Sequence, residues 1–185
     1  MLDESLDAVF LMVEKAFMRL QAGDVLVSCL EKDDTAPMQK LVEGLVLAGP
    51  QSLNALREIR AEVTTRKVEL QEEIARVFSK MEDELHGLGV NLAILPDHIS
   101  IHHLEPSNFN HLLGHQGFPD DASRVKCARL LNSSKEIMSQ LARQILLLDE
   151  VELYLDDWIW GLMYQSAHQI GAGVFRSGKL NKHLH

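Results

Sequence analysis

Between Ser52 and His86 the chain runs without a single proline or glycine. Leu53, Leu56, Arg60, Val63, Lys67, Leu70, Ile74, Val77 and Met81 recur there at alternating steps of three and four. Such spacing puts all nine on one seam of a helix with heptad character, about 50 Å long at 1.5 Å per residue. Gly87 and Gly89 close it. A second long segment opens at Pro119-Asp120-Asp121 and continues to about His168. Its seam is Cys127, Leu131, Ser134, Met138, Leu141, Ile145, Leu148, Glu152, Leu155 and Leu162. Two long helices joined by one connection are expected to fold back antiparallel, as a coiled-coil-like hairpin. The fold class expected is therefore all-α.

Charges intrude on both seams, Arg60 and Lys67 on the first and Glu152 on the second. In an antiparallel pair they could meet and set the register, adding little stability because partly buried ion pairs roughly break even. The alternative is that all three reach past the seam edge into water.

Residues 1–50 predict a small helical head. Leu2, Leu6, Val9, Phe10, Val13, Phe17 and Leu20 mark one amphipathic helix, with Asp3, Glu4 and Asp7 near its positive N-terminal end. Gly23-Asp24 reads as a stop, Val25–Leu30 as a short second element, and Asp33 to Pro37 as a turn. Met38, Leu41, Val42, Leu45 and Val46 mark a third short helix, ended by Gly49-Pro50. Around Trp158 and Trp160 the second long helix is apolar on nearly every side, which calls for cover. Phe10 and Phe17 are the expected partners of the two tryptophans in a structural core; part of this girdle could instead be a homodimer interface. One domain over 1–170 is expected, followed by a basic tail, 171–185, carrying Arg176, Lys179 and Lys182.

The connection, 88–120, forms the tip. Val90, Leu92 and Ile94, then Ile99 and Ile101, alternate with other residues around Pro96-Asp97, the pattern of a short β-hairpin. Ser107 could cap a short helix, 108–115. His98, His102, His103, His111 and His115 crowd this segment, which has no lysine or arginine. His111 and His115 share a helical face, and His98 and His102 would share a strand face. These four, helped by Asp97 or Glu105, are the candidate ligands of a zinc or iron site. The motif is weak, since no catalytic glutamate follows and no cysteine contributes. Protonating the five histidines between about pH 7 and 5.5 would swing the segment from −3 toward +2, so a partner-sensitive surface is the other reading. That surface would comprise the five histidines with Asn108 and Phe109.

Several functions are disfavoured. Net charge is −9, and the stretches 1–50, 51–87, 88–120 and 121–170 each carry more acids than bases, so nucleic acid is an unpromising partner. The stretch from Gly173 to Lys179 mimics a phosphate-binding loop, but Leu180 replaces the required Ser or Thr and no strand precedes it. Glu-x-x-His, the signature of di-iron bundles, is absent. The carboxylates at 149, 150, 152, 156 and 157 read as a solvated face, as do Glu69, Glu72 and Glu73, and Cys127 as buried core. The acidic start lacks the basic opening of a secretory signal, no apolar run nears the roughly 18 residues a membrane span needs, and the cysteines form no CxxC pair. The expectation is a cytoplasmic, non-enzymatic adaptor, assembly factor or regulatory subunit that binds another protein. Tip and tail would be its presented surfaces, with a metal-binding sensor or metalloenzyme as the alternative.

Overall fold

In the computed structural model the backbone is described for residues 2–89 and 120–180, and the side chains for 8–49, 51–89 and 120–167. The described residues are all-α. Helix α1 spans Leu2–Lys32, α2 Ala36–Val46, α3 Leu53–Gly87 and α4 Asp121–Leu180, with a single 3₁₀ turn, Pro50–Ser52, before α3. The proposed β-hairpin and short helix of the tip lie outside the described residues. Two compact units can be distinguished, Met1–Lys67 with Leu146–His185, and Val68–Ile145.

The first unit is built on α1. Contrary to the stop expected at Gly23-Asp24, α1 is one helix of 31 residues. Ala22, Leu26 and Cys29 are all buried and share one face across the glycine. Glycine in a helix interior costs about 1 kcal/mol but keeps its hydrogen bond, so burial on both sides outweighs it. Helix α1 ends instead at Asp33, whose φ of 51° is left-handed, and Asp34 N–H donates to the Cys29 carbonyl at 3.1 Å. That six-to-one bond is the Schellman way of satisfying a terminal carbonyl. The Asp34 carboxylate then accepts from Ala36 N–H at 3.0 Å, so one aspartate closes α1 and helps to open α2.

Met38 and Val42 are the buried face of α2. Gly49, at φ 88°, follows it, and the Ser52 hydroxyl donates back to the Leu45 carbonyl at 2.5 Å, anchoring the entry to α3. Leu56, Ile59 and Val63 of α3 and Leu147, Leu148, Val151, Leu155, Ile159 and Leu162 of α4 complete this core. The second unit has its own cluster: Met81, Leu85, Cys127, Leu131 and Met138, with Ile74, Val77, Phe78, Leu88 and Leu130 packed against it. Arg76 pairs there with Glu73 at 2.7 Å, one turn away on its own helix.

Two further expectations are corrected. Helix α4 does not stop near residue 170 but continues through Gly171-Ala172-Gly173 to Leu180. Glycine weakens a helix without removing a backbone donor, and no proline intervenes. Of the four aromatics assigned to the core, Phe10, Phe17 and Trp160 are exposed, by 71%, 63% and 69%. Trp158 is half-buried and meets Tyr154 edge to face, their centroids 6.4 Å apart, in place of a phenylalanine of α1.

A Cβ added at Gly23 would lie 3.9 Å from the Glu62 carboxylate, an ordinary contact. Gly23→Ala is therefore expected to raise the stability of the chain by about 0.5–1 kcal/mol, read as a higher urea midpoint. A lower midpoint would mean that the helix needs the glycine as a break.

Candidate functional site

Two features of the first unit carry chemistry beyond apolar packing: an ion-pair ladder between α3 and α4, and the exposed half of α1. On α3, Arg60, Thr64 and Lys67 follow one another at steps of four and three. Read backwards, α4 offers Asp156, Glu152 and Asp149 at the same steps. Arg60 grips Asp156 through Nε to Oδ1 at 2.5 Å and Nη2 to Oδ2 at 3.2 Å. Its Nη2 also lies 3.4 Å from Glu152 Oε1. Thr64 donates its hydroxyl to the same Glu152 oxygen at 3.3 Å. Lys67 binds Glu152 Oε2 at 2.7 Å and is also paired with Asp149. Rising numbers on one helix meet falling numbers on the other, so α3 and α4 are antiparallel within this unit. The three seam charges thus meet one another, and Asp149 and Asp156, read from sequence as a solvated face, belong to the same ladder. Hydrogen bonds that it donates to Asp149 and Glu152 hold the Lys67 ammonium above its usual pKa, and those donated to Asp156 do the same for the Arg60 guanidinium.

Helix α1 carries two stripes. One, made of Lys15, Arg19, Ala22, Leu26 and Cys29, faces inward: the last three are buried, and the two cations pair with Glu58 of α3 at 3.5 and 2.8 Å. The hydrogen bond from Arg19 is the main reason why the Glu58 carboxyl sits below its usual pKa. At 100° per residue, Phe10, Val13, Phe17 and Leu20 lie roughly 140–160° around the helix from Lys15. All four are exposed, between 61% and 71%. Val9 is exposed beside them, and Leu11 and Met12 are exposed on the Lys15 side, so every described residue of α1 before Met18 is exposed even where Lys15 reaches Glu58. Sequence patterning found this stripe but turned it inward. The counter-signal was Lys15 and Arg19, spaced to continue the stripe that Ala22, Leu26 and Cys29 bury.

The remaining sequence candidates, His98, His102, His103, Asn108, Phe109, His111 and His115, lie outside the described residues, so the four proposed metal ligands are not placed. No group of three or more histidine, cysteine or acidic side chains arranged to hold a metal occurs among the described residues. Burial pushes both thiols, Cys29 and Cys127, above their usual pKa, which disfavours the nucleophilic thiolate. A cavity of about 280 Å³ lies between the start of α2 and α4, lined by Thr35, Met38, Gln39, Glu150, Val151, Tyr154 and Asp157. No helix among the described residues is long and apolar enough to cross a membrane.

Glu152→Leu removes the carboxylate shared by Arg60, Thr64 and Lys67 while leaving Asp149 and Asp156. A loss of about 1 kcal/mol in urea unfolding is expected, because the pair is neither fully exposed nor fully buried. An unchanged midpoint, with native side-chain dispersion in the NMR spectrum, would show that the ladder does not set the register. For Glu58 the sign is that of a depressed acid. Its contribution is present above the ordinary value near 4.5 and is lost as pH falls through the lower folded-state value. The stability gap between the native chain and Glu58→Gln should therefore be flat near neutrality and close in acid; a gap that widens in acid would contradict the pairing. Comparison with protein-family models, curated proteins and solved structures gives no match for this chain.

Proposed function

We propose that this chain is a non-enzymatic adaptor, assembly factor or regulatory subunit, acting in the cytoplasm through protein–protein contact. One observation supports the reading most directly: the outward face of α1, where Phe10, Val13, Phe17 and Leu20 stand in water. Isolated exposed apolar side chains are ordinary, but a contiguous patch beyond a few hundred Å² marks an interaction site. Turning phenylalanines outward while two cations take the inward stripe is a costly arrangement for a chain that works alone. The histidine-rich segment 98–115 and the basic C-terminal residues are further contact surfaces in this reading.

The test is cross-linking of tagged full-length chain in an extract of its native cell. The native chain should yield a discrete adduct, and Phe10→Glu with Phe17→Glu should abolish it without loss of helical circular dichroism. An adduct pattern indifferent to the double substitution would remove α1 as the contact. Near-stoichiometric zinc or iron in protein purified without a histidine tag would favour the metal-dependent alternative.

A further inference from the structure

We infer that the partner on the outward face of α1 is a second copy of this chain, so that the protein is a homodimer joined helix to helix through Phe10, Val13, Phe17 and Leu20. The inference rests on the contact reading above and adds the identity of the partner.

Three observations converge on it. The first is pattern. The exposed residues follow one another at steps of three, four and three, and Leu6 extends the series in sequence by a further step of four. That is the spacing of a seam made to pack against another helix. A second copy supplies such a seam automatically, because a two-fold interface sets the same patch against itself.

The second is area. Val9, Phe10, Val13, Phe17 and Leu20, which share this side of the helix, are each between 53% and 71% exposed. At roughly 60–120 Å² per large apolar side chain, they offer on the order of 450 Å². Interfaces at the small, weaker end of the range bury about that much from each partner.

The third is charge. Lys15 and Arg19 are engaged by Glu58, and Glu14 is the acid beside the exposed stripe. Among the described residues of α1 no other cation adjoins the four residues, whereas an anionic bilayer or a nucleic acid requires positive charge around an apolar face. An apolar seam without matching basic groups suits an equally apolar helix, and the same helix of another copy is one.

The experiment is light scattering on the full chain as it elutes from a sizing column, over a range of loading concentrations. The expected mass is twice the 20.8 kDa of one chain. Phe10→Glu with Phe17→Glu should halve it, whereas Leu47→Glu, at a position 89% exposed in the turn after α2, should leave it doubled. Should the glutamates disturb α1 itself, the milder pair Val13→Thr and Leu20→Gln should still shift the dimer to higher concentration by at least tenfold. A native chain that keeps the mass of one copy at every concentration overturns the inference, as does a dimer that survives both pairs of substitutions. A monomeric native chain whose extract adduct is still lost with the phenylalanines refutes the homodimer and leaves the contact reading standing. A monomer with no adduct refutes both.

Discussion

The arrangement of the first unit depends on which of two competing stripes α1 turns inward. An amphipathic helix normally buries its largest apolar side chains, and by that rule Phe10 and Phe17 belong inside. The opposite stripe wins because it is continuous with the packed second half of the helix. Ala22, Leu26 and Cys29 are each buried, and a rigid helix cannot present that face inward at residue 22 and another one at residue 17. Lys15 and Arg19 thus arrive on the inner side, where Glu58 receives them. The ion pairs are a consequence of this geometry more than its cause, since partly exposed pairs contribute little.

The ladder between α3 and α4 has a different role. Leucine and valine seams tolerate sliding, because one apolar layer resembles the next. Arg60, Thr64 and Lys67 do not tolerate it: a shift of one turn would separate Arg60 from Asp156 and leave Glu152 opposite other groups. Their value therefore lies in specifying one alignment among several of similar apolar burial.

Much of the fold was legible in the sequence. The seam from Leu53, the turn at Asp33 to Pro37 and the start of α4 at Asp121 follow from periodicity, capping and breakers, all of them local. Gly23 and Gly171 misled because propensity is a weak prior, overridden where neighbouring residues are helical. Asp149 and Asp156 look like a solvated face on their own helix, because the cations that engage them lie on another. The mirrored spacing of 60, 64 and 67 with 156, 152 and 149 was present in the sequence, but it acquires meaning only once two helices are aligned. The outward α1 face was found as a stripe and lost as a direction, because hydrophobic pattern alone does not say which of two apolar stripes the rest of the chain will choose. The histidine-rich segment, the most conspicuous chemical feature of the sequence, lies outside the described residues.

The two cysteines are divided between the two units, Cys29 in one and Cys127 in the other, and both are buried. Neither thiol can be alkylated until its own surroundings open, because reaction requires both access and the thiolate. The native chain thus carries an internal clock in each half. The rate at which each thiol is modified under native conditions reports the opening free energy of its own unit, without an added label or a denaturant. Equal rates would describe a molecule that opens as a whole. Unequal rates would identify the half that loosens first, and so tell whether the unit bearing the exposed phenylalanines is also the less stable one.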